Sequence, residues 1–454
     1  LSCGPKFHGR EDRSSDSLNC PHAASALQGV LIFALVAPGW SFMQSVVLRD
    51  ESHRPWREDA RVMGLVGVAH ASSHFSHLLL PLMFPVFVLE FGWRYAELGM
   101  LSSLFFVISG LGQAGAGFVV DRWGARPGLL TSMALYILAC LQAYAAQSYA
   151  GLMVVAVLAG LGNAPFHPVN FTILNQRVST PRLGYAFSVH GVSGNLGWAL
   201  APVCFRVCAA WWGWRHAFLA ASVLYALILV LLLLHRQHLV TIPAPVASSP
   251  SMRGRGSGQG SALAILRMPV GWWCFLFFLL STVTLAVVQN FAVPILNALH
   301  GISLEQASMT LTAYMLLGAV GILIGGFLAA RFAQVTDRVV ALCMAAAALL
   351  MALCASGWLG PQATLWLLAL TGFAVGIGGP SRDLMIKKGT PKEATGRVYG
   401  LVYSGLDVGF ALSPLVFGLF MDQGWYTATL LGAALVLFIS AGVALGVGQR
   451  SARH

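Results

Sequence analysis

The chain has 454 residues and a formal net charge of +11, yet only 9% of its residues are charged while 57% are apolar, and its mean hydropathy is +0.74. A soluble domain carries about 25% charged residues, so this composition excludes one and defines a membrane protein. The eight cysteines lie mostly within apolar runs with no CxxC pair, which excludes a disulfide framework and reads as small buried hydrophobes.

In chain order, residues 1–61 form an N-terminal extension. Its start, "LSCGPKFHGREDRSSDSLNCPHAASA", is polar and reads as disordered. Residues 27–48 are apolar but lack the compact basic region and small-residue cleavage site of a signal peptide. With Leu1 at its head, the extension is expected to reflect an over-extended translation start or a fragment. Twelve apolar runs follow, at 62–89, 97–120, 127–147, 150–175, 184–210, 214–234, 270–297, 304–330, 338–357, 363–386, 395–421 and 425–447. Each is long enough for a membrane helix of about 20 residues, whereas a membrane strand needs only about 10. Between the sixth and seventh runs, residues 235–268 are rich in Pro, Ser, Gly and Arg, as in a flexible linker.

The expected fold is therefore an all-α polytopic membrane protein with twelve transmembrane helices. They divide into six-helix bundles at 62–234 and 269–447, followed by a tail at 448–454. Arginine placement sets the orientation. Arg122 and Arg126, Arg177 and Arg182, Arg236 to Arg267, Arg331 and Arg338, and Arg382 to Arg397 fall on one side, against Arg94 and Arg215 on the other. Both termini are expected in the cytoplasm, at the inner or plasma membrane. This asymmetry explains most of the positive charge, and no nucleic-acid module is visible.

The halves also resemble each other. "GYAFSVHGVSGNLGWALAP" (184–202) lies without a gap over "GRVYGLVYSGLDVGFALSP" (396–414), pairing Gly197 with Gly409 and Pro202 with Pro414. The same offset pairs Gly160 with Gly372 and Pro168 with Pro380, and "GFVVDR" (117–122) lies over "GFLAAR" (326–331). So many matches in equivalent helices indicate duplication, which makes the two bundles pseudo-symmetric, the architecture of a carrier.

"GAGFVVDRWGARPGLL" (115–130), between the second and third helices, resembles the loop signature of the major facilitator superfamily, Gly-x-x-x-Asp-Arg-x-Gly-x-Arg. Gly117, Asp121, Arg122, Gly124 and Arg126 meet it. The resemblance covers roughly residues 62–447. Within the superfamily, "HLLLPLMFPVFVLEFGWRYAELGML" (77–101) is similar to the first-helix region of fosmidomycin-resistance-type drug exporters. The resemblance implies a monomeric, proton-driven carrier in which the loop motif is a conformational latch. Physically, Gly117 is expected to let the second and eleventh helices approach, Gly124 to permit a tight turn, and Asp121 to offer its carboxylate to backbone N–H groups or a basic partner. Ala330 replaces Asp121 in the second half, so the latch is expected on one side only.

Polar groups inside the bilayer are functional candidates because each is costly there. "HASSHFSH" (70–77) sets His70, His74 and His77 at i, i+4 and i+7, stacked on one helix face. Gln113, Asn163, His167, Asn170, His190, Asn195, Gln289, Asn290, Tyr314, Tyr403 and Asp407 complete the set. Asp407 is the acidic residue well within a span, and the repeat sets Asn195 at its pseudo-symmetric position. It is a candidate proton or substrate-coupling carboxyl, with packing between helices as the structural alternative. Arg382, near the end of the tenth helix, reads as a topology charge or an anion contact at the cavity mouth. His167 and His190 read as hydrogen-bonding partners between the fourth and fifth helices.

Metal binding competes with a cavity role for the histidines, because His70, His74, His77 and His190 are imidazoles of the kind that hold Zn, Ni or Cu. No carboxylate or thiolate cluster accompanies them, and the His-x-x-x-His pair lacks the Glu of a hydrolytic motif. Neither metal nor cofactor is expected. No nucleophile elbow or phosphate loop appears, so an enzyme is not expected. The reading is a secondary transporter that moves a small organic solute by alternating access, as proton-coupled drug or metabolite export. Its partners are the solute, protons and the bilayer. Proton-coupled uptake of an organic anion, or a non-transporting membrane sensor, are the alternatives.

Overall fold

The computed structural model describes residues 55–242, 269–388 and 395–451. The expected extension up to residue 54 and linker residues 243–268 lie outside the described residues. Fourteen α-helices make up the described chain: α1 (Trp56–His77), α2 (Phe84–Phe91), α3 (Tyr95–Trp123), α4 (Ala125–Ala145), α5 (Tyr149–Asn163), α6 (Phe166–Arg177), α7 (Leu183–Trp212), α8 (Trp214–Leu234), α9 (Pro269–His300), α10 (Leu304–Arg331), α11 (Thr336–Ala355), α12 (Pro361–Lys388), α13 (Thr395–Asp422) and α14 (Tyr426–Ser451). Eleven helical segments among the described residues are long and apolar enough to cross a membrane. Two are broken, α1 from α2 and α5 from α6. Pro81 and Pro165 stand at the breaks, each lacking an N–H and crowding the carbonyl four residues earlier. The expected run at 184–210 is the 30-residue α7, which falls outside the apolar eleven. Ser188, His190, Ser193 and Asn195 dilute its hydropathy.

With no water to bond the backbone, these segments satisfy their peptide groups internally as helices and associate through close packing. The two halves pack alike. In the first, α1 lies on α7, α3 on α5 and α4 on α8; in the second, α9 lies on α13, α10 on α12 and α11 on α14. The paired glycines sit at equivalent approaches. Gly197 abuts the Ala71 carbonyl across α1–α7, and a Cβ at Gly409 would stand 2.7 Å from the Leu279 carbonyl oxygen across α9–α13. Gly160 likewise meets the Phe105 carbonyl, and Gly372 that of Tyr314.

Two seams join the halves, α3 against α13 and α7 against α10. Both are shut at one end. There Gly99 abuts the Pro414 carbonyl and Gly418 the backbone of Ala96. The Asp422 carboxylate accepts from the N–H groups of Tyr95 (2.6 Å) and Ala96 (3.1 Å), capping α3 from the opposite half. Ser102 donates to Asn290 Oδ1 at 2.6 Å, and Thr312 Oγ1 donates to the Ala199 carbonyl at 3.0 Å. Towards the Gly124 end both seams part among the described residues: a Cβ added at Gly117 of α3 or Gly191 of α7 would meet none of them within 4 Å. The hydrophobic cores agree. One cluster runs across both halves at the Asp422 end, whereas Val270, Phe277, Val340, Met344 and Val447 belong to a separate cluster confined to the second half. The approach expected at Gly117 falls opposite the start of α13, where the side chains of 395–401 lie outside the described residues. Among the described residues, α3 approaches α13 closely at Gly99 and Gly110.

Candidate functional site

The histidine stripe of α1 faces α7 where that helix lacks side chains. A Cβ at Gly194 would stand 2.7 Å from His74 Cε1 and 3.1 Å from His70 Cε1, so this glycine makes the room the rings fill. His70 stacks on His190 with ring centres 3.5 Å apart, and its Nδ1 lies 2.8 Å from the His190 carbonyl oxygen. His74 lies 4.1 Å from the Trp198 ring and 5.0 Å from His77. His77 is held at both nitrogens: Trp198 Nε1 donates to Nδ1 at 3.3 Å, and Nε2 lies 3.2 Å from Asn163 Oδ1. An indole N–H only donates, so Nδ1 accepts and Nε2 carries the proton that goes to Asn163.

Asn163 is the hub of this frame. Its Oδ1 also accepts from Ser73 Oγ (2.8 Å) and Tyr136 OH (3.0 Å), while its Nδ2 donates to Ser109 Oγ (2.8 Å). With these groups engaged inside the first half, Asn163 and His77 act as a brace. The ring nitrogens that converge belong to three helices: His70 of α1, His167 of α6 and His190 of α7 offer atoms all within 4.8 Å of one another. Asn170 Nδ2 lies 3.4 Å from His190 Nε2, between the fourth and fifth membrane helices. His167 makes ring contacts with His70, Phe171 and His190.

Asp407 occupies the α3–α13 seam on the parting side of the Phe106–Phe410 stack, whose rings are 4.3 Å apart and nearly parallel. A Cβ at Gly110 of α3 would stand 3.1 Å from Asp407 Cβ. The other seam repeats this. A Cβ at Gly318 of α10 would stand 3.5 Å from Asn195 Oδ1, so the pair aligned by the repeat faces a glycine of the opposite half in both seams. His77 bridges the two regions, 6.0 Å from the Phe410 ring. In the second half, Arg382 pairs with Asp383 at 2.9 Å and lies 5.0 Å over the Phe278 ring, which is 5.2 Å from Tyr403. Gln289 is buried with an unpartnered Nε2, and Asn290 is used in the shut seam. Gln113 is half-buried on α3, beyond Gly110 towards the Gly124 end.

In the loop motif, Gly124 takes φ +80° between α3 and α4, and Arg122 lies over Trp123 at 5.6 Å. Arg126 is half-buried, and the Asp121 side chain lies outside the described residues. Several contributors escaped sequence reasoning. Ser73 stands within the stripe itself, Trp198 one turn after Gly194, and Asp422 just past the end of an expected span. Buried Asp59 accepts from the Ser179 N–H (3.3 Å) and pairs with Arg182 (2.8 Å), tying α1 to the turn before α7.

Fold and site define a polytopic helical membrane protein of two like halves, parted at one end around a polar lining. Residues 65–292 and 274–452 match the sequence profile of the Major Facilitator Superfamily. The chain belongs to this superfamily of membrane transporters. It is 24% identical over 275 residues to the fosmidomycin resistance protein of Escherichia coli (strain K12), a match covering 58% of this chain and 64% of that relative. It is 30% identical over 152 residues to the probable 4-methylmuconolactone transporter of Cupriavidus pinatubonensis, covering 33% and 36%. The match to the membrane sensor protein UhpC of Escherichia coli (strain K12), at 23% identity, covers 87% of this chain and 92% of that one. In fold it is similar to a bacterial homolog of the human lysosomal transporter Spinster in an inward-facing, unoccupied conformation. That similarity has a TM-score of 0.68 and 14% identity, covering 88% and 99% of the two chains.

Proposed function

We propose that the protein is a secondary active transporter that exports a small organic solute against protons by alternating access. The moving bodies are residues 62–234 and 269–447, and the Arg-rich connections with both termini lie in the cytoplasm of an inner-membrane monomer. The parted end is then cytoplasmic, so the two seams represent the inward-facing state. The observation that carries the reading is Asp407 in the α3–α13 seam, at the level where the shut packing gives way to open space. A carboxyl there exchanges its proton with whichever side the seams expose, and its charge state biases the closing of that seam. The histidine face of α1 and α7 lines the opposite wall, and the loop motif braces the cytoplasmic end when the seams close.

The test is transport by the purified protein in proteoliposomes under an imposed pH gradient. Labelled fosmidomycin, 4-methylmuconolactone and L-galactonate serve as the first solutes, because relatives bear those names. Gradient-driven flux that Asp407→Asn abolishes is the expected result. Flux with unchanged gradient dependence in that variant removes Asp407 from coupling. The similarity to UhpC along most of both chains favours a second reading, a membrane sensor. It predicts solute binding without flux.

A further inference from the structure

We propose that His70, His167 and His190 form a binding site for a divalent transition-metal ion of borderline softness, such as Zn²⁺. The inference goes beyond the carrier reading and does not rest on it. Their ligand atoms lie within 4.8 Å of one another, each delivered by a different helix, so the site exists only in the folded bundle. It is not the i, i+4, i+7 stripe, since of those three rings only His70 belongs to it.

The chemistry of the donor set fits the ion. A carbonyl oxygen accepts only, so the 2.8 Å contact of His70 Nδ1 with the His190 carbonyl requires the proton on Nδ1. That leaves the Nε2 lone pair free, and Nε2 is buried without a hydrogen-bond partner. A ring N–H donated to a backbone carbonyl, with the other nitrogen turned to the ion, is the usual outer-shell arrangement of metal-binding histidines. Ser193 Oγ donates to the same carbonyl at 2.8 Å, and the Asn170 amide, turned so that its otherwise unpartnered Oδ1 accepts from His190 Nε2–H, leaves the His190 Nδ1 lone pair for the ion and completes an orienting shell. Three imidazoles with a fourth position open is a known zinc donor set. His70 and His190 are buried while His167 is half-exposed, so the fourth position is reached from the His167 side by water or an anion. To hold one ion at about 2.0–2.1 Å from each nitrogen, His70 and His190 turn out of their stack, in which the ring planes lie 18° from parallel, so that their in-plane lone pairs converge with that of His167.

The experiment is calorimetric titration of the purified full-length chain, in detergent and without added histidines, with ZnCl2, and with MgCl2 as the negative control. One Zn²⁺ per chain is expected to bind, with no Mg²⁺ heat and an X-ray absorption shell of imidazole nitrogens. His167→Ala should weaken Zn²⁺ binding at least about tenfold. His190→Gln should do the same, which guards against misfolding of either variant alone, and retained solubility and melting midpoint are checked for both. His216→Ala and His238→Ala, at an exposed and a half-buried histidine outside the cluster, should leave affinity unchanged. Absence of Zn²⁺ binding overturns the proposal. So does binding that survives both cluster variants, or binding lost in His238→Ala instead.

Discussion

Adding one methyl group to a glycine should have opposite signs at two positions of the same helix. At Gly197 of α7 a Cβ would run into the Ala71 carbonyl, and at the equivalent Gly409 of α13 it would stand 2.7 Å from the Leu279 oxygen and 2.9 Å from Thr282 Cβ. The Gly409 contact is roughly 0.8 Å short of the ~3.5 Å at which such atoms settle. The neighbour is backbone, so no rotamer relieves the clash and the helices must separate. Overpacking of this kind costs about 1–3 kcal/mol, against a helix-propensity gain of up to ~1 kcal/mol for Gly→Ala. Gly409→Ala should therefore destabilise by as much as ~2 kcal/mol, and Gly197→Ala by more. At Gly191 the added Cβ meets nothing within 4 Å, so Gly191→Ala keeps only the propensity gain. The buried free thiols Cys140, Cys274 and Cys354 are built-in reporters, because a thiol-reactive dye labels them as the bundle unfolds. The midpoints should rank Gly191→Ala at or above wild type, then Gly409→Ala, then Gly197→Ala. Equal midpoints for Gly197→Ala and Gly191→Ala would refute the argument that backbone approach dictates these glycines.

Asp422→Ala removes the cap that one half places on α3 of the other, a contribution of about 0.5–2 kcal/mol. Spin labels at exposed Leu89 and Trp358 should then report longer distances at that end, and an unchanged distribution would show the cap to be dispensable. Gly191 is one turn from Asn195 and on its face, so Gly191→Leu should leave thermal stability intact while blocking closure of the parted end. Wild-type flux in that variant would mean the α7–α10 seam does not close there.

What the sequence makes legible follows from where each signal lives. The pairing of Gly197 with Gly409 was readable because contact between helix backbones leaves glycine few substitutes, and duplicated helices repeat the need. The helix breaks at Pro81 and Pro165 follow from the ring's missing donor, yet hydropathy alone merges each broken pair into one span. The loop motif ties Gly117 to the approach of α3 to α13, and the side chains of α13 opposite it, 395–401, lie outside the described residues. The spacing of His70, His74 and His77 reveals rings on one helix. The convergence on His167 and His190 depends on α1 crossing α6 and α7, which no local pattern encodes. Asp422 carries no sequence signal of its role, because a charge that ends an apolar run reads as a boundary, whereas here it is a cap across the seam.

The two halves preserve backbone contacts and diverge in chemistry. Counting from the carbonyls that face Gly197 and Gly409, His70 corresponds to Phe278, His74 to Thr282 and His77 to Leu285, so the imidazole wall belongs to the first half alone. The seam carboxyl belongs to the second half alone, with Asn195 at its counterpart. In the proposed carrier, packing symmetry would let both seams open and close by the same motion, because Asp407 and Asn195 each meet a glycine of the other half. In that carrier, a charge in only one seam would make the motion sensitive to protonation without requiring it in the other. Asp407→Asn makes the seams chemically alike while preserving side-chain shape. It therefore tests whether coupling resides in this asymmetry, since a carrier whose gradient dependence came from the histidine wall would keep it in that variant.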